Sequence, residues 1–412
     1  MDAPENRPSA ARPRRPIRTA LLALALIFVT LLAGAVLSAW PSLGAYPSGV
    51  RLARVQRSPQ WQGDHFANAE PMWNDAQHAI GETFRKNPYD TPASPIPVLA
   101  NAAAQYAAPP ATGLRVTWFG HSSSLIEIDG VTLLTDPIWS ARSSPVTWAG
   151  PMRWHAAAVA LRSLPRVDAV LISHDHYDHL DRATVQSIDD GRVRFIVPLG
   201  VGAHLAAWGV AESRITELDW WQAARVGRVE LIATPSRHAS GRINPQGDRT
   251  LWAGYAMIGP VHRAWYSGDT GMQSAFAEIG RRYGPFDVTL IEAGQYDAAW
   301  PDWHLGPEQA VDAHRLVRGR VMIPVHWALF RLSHHGWTEP AERVLAAARC
   351  GDTVNVLIPR PGQAVEPTTN AKLARWWPAV PWETAAQRPI VATRHGDPAD
   401  RYPKAPCQAR PQ

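Results

Sequence analysis

His174-Asp175-His176-Tyr177-Asp178-His179 sets three imidazoles and two carboxylates in six residues, just after the apolar run Ala169-Val170-Leu171-Ile172. A buried strand that ends abruptly in ligand side chains holds a metal rigidly at a sheet edge. The pattern also divides the work. His174 and His176 lie two apart in an extended segment, so they point the same way and can share one ion. Asp178 and His179 follow after the chain turns and can reach a second. Imidazole together with carboxylate suits zinc or a similar divalent first-row ion. The run therefore points to metal-assisted hydrolytic chemistry and away from a polar surface loop.

Three more candidate ligands each follow a strand-like stretch. His238 comes after residues 229–233 through Thr234-Pro235-Ser236-Arg237, and Asp269 after Ala264-Trp265-Tyr266-Ser267-Gly268. His326 comes after Val321-Met322-Ile323-Pro324-Val325. A lone histidine behind a strand carries little. The order His, Asp, His after the six-residue cluster carries more, because ligands at the ends of several strands gather where a sheet's loops meet.

Around these motifs, strand signals begin at Leu114. Arg115-Val116-Thr117-Trp118-Phe119 leads to a Gly120-His121 turn. Ser124-Leu125-Ile126-Glu127-Ile128 then passes through an Asp129-Gly130 hairpin turn into Val131-Thr132-Leu133-Leu134. Further strands are expected at 169–172, 195–198, 229–233, 264–266, 288–291 and 321–325, with helices at 183–188 and 307–317. Pro307 and Glu308 suit the start of the second helix. Strands alternating with helices imply an α/β sandwich. Residues 41–112, rich in Pro, Ala and polar side chains, are expected to wrap a hydrolase domain at 113–365. Residues 366–412 read as a Pro- and Arg-containing tail, partly disordered.

The front of the chain is apolar from Ala20 to Ala39, broken only by Thr30, Gly34 and Ser38. About 20 helical residues cross the ~30 Å hydrocarbon core. The Arg-rich segment before it belongs to a basic tail at 1–18, and no comparable cluster follows. An uncleaved single-pass anchor at 19–40 is expected, with the N-terminus cytoplasmic and the remainder extracytoplasmic (periplasmic). A cleaved signal peptide is the rival, with Ala33-Gly34-Ala35 a candidate cleavage site.

The net charge of +5 over 412 residues owes much to five arginines among the first eighteen. No stripe of Lys/Arg interleaved with aromatics occurs elsewhere, so no nucleic-acid partner is expected. Cys350 and Cys407 lie outside any ligand cluster. They could pair in an oxidising compartment, and both read as incidental. Among nineteen tryptophans, Trp118, Trp139, Trp300, Trp303 and Trp327 sit near the metal motifs and could wall a substrate site. The rest read as core. No strand–Ser–helix elbow is present, so a serine or cysteine nucleophile is not expected.

From about Gly44 to about Ala348 the chain resembles the metallo-β-lactamase superfamily, and within it the N-acylphosphatidylethanolamine-hydrolysing phospholipase D family and its bacterial relatives. The resemblance rests on Trp118-Phe119-Gly120-His121-Ser122, Leu134-Thr135-Asp136-Pro137, the run from His174 to Asp181, and Thr234-Pro235-Ser236-Arg237-His238. It continues through Ser267-Gly268-Asp269-Thr270-Gly271, Tyr283-Gly284-Pro285-Phe286-Asp287, His304 with Pro307-Glu308-Gln309-Ala310-Val311, and Pro324-Val325-His326-Trp327.

That likeness implies an αββα sandwich with a two-metal site at one edge. His174, His176 and His238 would hold one zinc, Asp178, His179 and His326 the second, and Asp269 would bridge. Manganese or iron(II) would fit the same ligands. His304 aligns with a family histidine near the substrate phosphate. Ile291-Glu292-Ala293-Gly294-Gln295 departs from the more neutral stretch of the phospholipases and is expected to add a charge near the mouth. Asp136 and His121 are expected to support ligands from behind; His334 and His335 receive no role.

The implied reaction is hydrolysis of an N-acyl-phosphatidylethanolamine-like phospholipid. A hydroxide shared by two metals ~3.5–4 Å apart would attack phosphorus. Asp178 would orient it, and His304 would hydrogen-bond the phosphate or protonate the leaving group. A lactone or carboxylic ester hydrolase is the alternative. β-Lactam hydrolysis, a nuclease and a non-catalytic metal-binding sensor stand further off. Phospholipid and membrane are the expected partners, and a homodimer is left open.

Overall fold

The computed structural model describes residues 15–404 apart from Phe84, Ala100, Asn101, Asp189, Ile243, Pro245, Gln246, Asn370 and Ala371. Residues 1–14 of the expected basic tail, and 405–412 with Cys407, lie outside the described residues.

The chain opens with α1 (Arg15–Leu43). Its Thr19–Leu43 portion is long and apolar enough to cross a membrane, although a signal sequence meets the same description. Next come α2 (Gly49–Val55), a hairpin of β1 (Trp61–Gln62) and β2 (His65–Phe66), and α3 (Ala76–Thr83). The first large sheet holds β3 (Leu114–Trp118), β4 (Ser124–Ile128), β5 (Val131–Thr135), β6 (Ala169–Leu171), β7 (Arg194–Pro198) and β8 (Ile215–Leu218). α4 (Arg182–Ile188) precedes β7 and α5 (Gly202–Ala207) precedes β8. The second sheet begins with β9 (Ala223–Val226), β10 (Val229–Thr234), β11 (Gly254–Ile258) and β12 (Arg263–Tyr266). It then alternates α6 (Ala275–Tyr283), β13 (Phe286–Glu292), α7 (Pro307–Leu316), β14 (Gly319–Val325), α8 (Glu339–Ala347) and β15 (Asn355–Val356). β16 (Ala364–Val365) returns to pair with β3.

Among the described residues, each of the two large sheets has seven strands, in the orders β16-β3-β4-β5-β6-β7-β8 and β15-β14-β13-β12-β11-β10-β9. In both, an antiparallel part passes into a parallel part, at β5–β6 and at β12–β13.

The period-2 pattern of the strands decides the layering. Ile126, Leu133, Leu171 and Ile196 share one buried core with Leu231, Tyr255, Tyr266, Leu290 and Ile323 of the other sheet. Their neighbours turn the opposite way. Leu125, Leu134, Val170 and Phe195 pack on Val185 of α4 and Leu205 of α5. Ile232, Trp265 and Met322 pack on Phe276 of α6, Val311 of α7 and Val344 of α8. The result is an αββα sandwich, in which each inward Leu or Ile contributes ~1.5–3 kcal/mol.

Both ends of the described residues are bonded to this body. Trp208 Nε1 donates to the carbonyl of Pro41 at 2.8 Å, and Arg242 Nε to that of Ser42 at 2.7 Å. Residues 372–404, within the tail expected at 366–412, lie against the body. Trp376 stacks on Trp327, with ring centroids 5.5 Å apart, and Trp377, Ile390 and Thr393 are buried. Cys350 is disulfide-bonded, which corrects its reading as incidental.

Candidate metal centre

Six strand ends deliver the site. β5 runs into Asp136, β6 into His174–His179, β10 into His238, β12 into Asp269 and β14 into His326, while Glu292 is the last residue of β13. All seven predicted ligands converge there, and His304 joins them from the loop before α7.

In the first group, His174 Nε2 lies 2.8 Å from His176 Nδ1, and His238 Nε2 lies 3.4 Å from the same atom. In the second, Asp178 Oδ2 lies 3.3 Å from His179 Nε2 and 3.5 Å from His326 Nε2. Asp269 Oδ2 sits between them, 3.0 Å from His179 Nε2 and 3.1 Å from His326 Nε2. The same oxygen is 3.9 Å from His174 Nε2 and 3.8 Å from His238 Nε2.

Electrostatics suit cation binding. Burial, reinforced by neighbouring imidazoles, holds His174 well below its usual range and so keeps it neutral. His238 is held down likewise, chiefly by burial. Burial alone would raise Asp178 and Asp269, but the facing imidazoles, His179 foremost, hold both well below the carboxylate range. Against burial, Asp269 lifts His326 to about 10, so a cation held there must displace that proton. Asp269 Oδ1 is buried and has no hydrogen-bond partner among the described residues. An ionised, partly bare carboxylate among crowded imidazole nitrogens is a donor set that fits divalent ions.

Behind the predicted ligands, Asp136 Oδ2 accepts from His179 Nδ1 at 2.7 Å, and Asp136 Oδ1 from the Ser173 N–H at 2.7 Å. Tyr266 also donates its hydroxyl to Asp136. Asp136 is thus seated behind His179, one of the predicted ligands. His121 is more deeply engaged than its turn position suggested. Its Nε2 lies 2.9 Å from Asp178 Oδ2, and burial pushes it down to about 3. His121 (φ 51°) and His326 (φ 67°) both hold left-handed backbone. Reciprocal bonds keep them there: His121 N–H donates to Trp327 O at 2.9 Å and His326 N–H to His121 O at 2.8 Å.

Glu292 is not at the mouth. It is fully buried, which raises its pKa, and His304 partly offsets the rise. Its Oε2 lies 2.7 Å from His304 Nδ1. A cavity of about 570 Å³ opens over the centre, walled by Tyr177, Gln295, Trp300, Trp303 and Leu332. Trp300 and Trp303 therefore do wall the site. Trp118 and Trp327 do not: they stack in the core with centroids 5.4 Å apart. Trp139 packs against Phe119 instead.

Two supporting residues, Asn68 and Arg242, had no sequence signal. Asn68 makes both bonds to the backbone of His238, at 2.7 and 3.0 Å. Arg242 donates to Asp175 O at 2.7 Å and Leu180 O at 2.9 Å, and its guanidinium lies 4.0 Å above the Tyr177 ring.

Comparison with known proteins identifies relatives of the chain and of its fold. The family model described as a beta-lactamase superfamily domain matches residues 132–327. An uncharacterized protein of Mycobacterium tuberculosis is 44% identical over 374 residues, covering 88% of this chain and 99% of its own. An N-acyl-phosphatidylethanolamine-hydrolyzing phospholipase D of Caenorhabditis elegans is 33% identical over 246 residues, covering 57% of this chain and 69% of its own. A solved structure described as "a possible metal-dependent hydrolase from Veillonella parvula" shares the fold. Its TM-score is 0.50 at 15% identity, covering 61% of this chain and 98% of that one. The chain belongs to the metallo-β-lactamase superfamily of metal-dependent hydrolases and is related to the N-acyl-phosphatidylethanolamine-hydrolysing phospholipases D.

Proposed function

We propose that the protein is a binuclear zinc phosphodiesterase of phospholipase D type, acting on an N-acyl-phosphatidylethanolamine-like lipid. The observation that carries this reading is Asp269 Oδ2, set between two imidazole groups at 3.0–3.9 Å. His174, His176 and His238 would hold one ion, Asp178, His179 and His326 the other, with Asp269 shared. Bound there, zinc lowers the pKa of water and polarises a phosphoryl oxygen.

The residues supply the remainder. Asp178, gripped by His121, orients the attacking water. Trp300, Trp303 and Leu332 exclude bulk solvent and favour an acyl chain. His304 faces the cavity beside the centre and moves a proton. As the water oxygen bonds to phosphorus, His304 accepts the released proton. It returns the proton to the leaving oxygen when the phosphorus–oxygen ester bond breaks. The relatedness to the worm protein named for this lipid supports the substrate class.

We assign α1 as a membrane anchor with the hydrolase domain on the extracytoplasmic side. The arginines before α1 and the disulfide at Cys350 support that side, since disulfides persist in oxidising compartments.

The test is turnover by zinc-loaded protein of bis(p-nitrophenyl) phosphate, a lactone panel and a cephalosporin. Phosphodiester turnover is expected to dominate. Inactivity on every phosphodiester with good lactone turnover would replace the assignment with the lactonase alternative.

A further inference from the structure

Glu292 stands where the sequence departs from the phospholipase-like stretch, and its surroundings give the departure a purpose. The carboxylate closes β13 with no exposure to solvent. Oε1 accepts the N–H of Thr270 at 2.7 Å and that of Leu305 at 3.1 Å. Oε2 faces His304 Nδ1 at 2.7 Å. One side chain therefore joins the strand end, the residue following Asp269 and the loop that carries His304.

We propose that Glu292 is a positioning residue that holds His304 by Nδ1 and presents Nε2 to the cavity as the proton-accepting atom. Three observations support this. His304 lines the cavity and is largely buried, so one ring nitrogen must be satisfied within the protein. Nδ1 is that nitrogen, since a buried carboxylate oxygen lies within hydrogen-bond reach. With Oε1 taken up by two backbone N–H donors, Oε2 is the oxygen that meets Nδ1, and as a carboxylate oxygen it accepts a proton carried there. The free lone pair is then on Nε2. When Nε2 takes a proton from the attacking water, the facing carboxylate stabilises the imidazolium until the leaving oxygen removes it. The Glu–His pair thus deepens the proposed hydrolysis and rests on that reading for its purpose.

The decisive variant is Glu292→Gln. The amide oxygen can keep both backbone N–H bonds, while the amide NH2 now faces His304 Nδ1. A donor there should drive the proton to Nε2. The readout is long-range 15N–1H correlation of 15N-histidine-labelled full chain in detergent, with and without zinc, using His304→Gln to assign the signals. The wild type should show a protonated Nδ1 and a bare Nε2, and Glu292→Gln the reverse. Zinc content should be unchanged, and kcat on bis(p-nitrophenyl) phosphate should fall ~10–100-fold with KM little altered. Glu292→Asp, which retains the carboxylate, should keep the wild-type tautomer.

The same His304 tautomer in wild type and Glu292→Gln would overturn the proposal. So would loss of zinc or of melting temperature in Glu292→Gln without a tautomer change, which would make Glu292 a structural brace only. If the protein turns over no phosphodiester, the proposed function fails, and the nitrogen signals still decide the assignment of Glu292.

Discussion

The Asp136 carboxylate and the His179 imidazole meet at 2.7 Å in a site closed to solvent, Oδ2 against Nδ1. That contact fixes which nitrogen of His179 faces Asp178 and Asp269. Asp136→Asn would put an amide NH2 or a weaker acceptor in its place. We expect metal affinity to fall ~10–100-fold, measured by chelator competition, with little change in far-UV circular dichroism. Unchanged affinity would remove Asp136 from the metal centre.

Removing a ligand should cost more than removing a support. His176→Ala and His326→Ala are each expected to lower bound metal from two ions to one, by mass spectrometry of the purified protein. Each should lose more than the ~100-fold in activity that an outer partner costs. Stripping with a chelator should abolish turnover, and zinc should restore it in wild type alone.

Arg343 lies buried against α7, with Nη2 2.7 Å and Nε 2.9 Å from the two carboxylate oxygens of Glu308. Nη1 reaches Glu339 at 3.2 Å. Arg343→Ala leaves two buried carboxylates without their cation, so chemical denaturation should show a loss of ~3–5 kcal/mol. Replacing Arg343, Glu308 and Glu339 together with apolar residues should recover much of it.

Burial pushes Asp248 up to about 6, although a hydrogen bond from Ser240 N–H at 2.8 Å opposes the rise. A carboxyl with a raised folded pKa holds its proton more tightly in the folded chain. Its stabilisation is complete below the unfolded value of 3.8 and is lost as pH rises through about 6. Asp248→Asn keeps an oxygen for Ser240 and tolerates the positive φ of 49° at this position. The variant should melt higher than wild type near pH 7.5, with the advantage shrinking toward pH 4. An advantage independent of pH would contradict this.

Gly271 leaves no room for a side chain, since a Cβ there would come within 1.9 Å of the Asp302 carbonyl oxygen. That contact is with backbone, which cannot step aside cheaply. Gly271→Ala should displace the Asp269 loop and reduce metal retention, visible as zinc release to a colorimetric chelator.

Much of the candidate centre was legible because its predicted ligands sit at the ends of strands with strong apolar runs. The six-residue cluster, the strand before His326 and the helix at Pro307 are places where local pattern and tertiary role coincide. The edges were not legible. β8 and β9 carry Glu217, Arg225 and several partly exposed positions, so their alternation is blurred, and β11 begins at a glycine. Residues 372–404 show no period to detect, yet Thr393 accepts from Arg237 Nη1 at 2.7 Å through its carbonyl, and its N–H donates to Asp302 at 2.6 Å. Irregular backbone held by such distant partners leaves no trace in composition. Glu292 was placed at the mouth because sequence distance from a strand end does not reveal depth.

Arg242 grips the carbonyl of Ser42 with one nitrogen and those of Asp175 and Leu180 with another. A tug on the leading helix would travel through a single guanidinium to Asp175, between the first and second histidines of the cluster, and to Leu180, just past the third. Tension or tilt in whatever holds that helix therefore becomes a mechanical input to the chemistry.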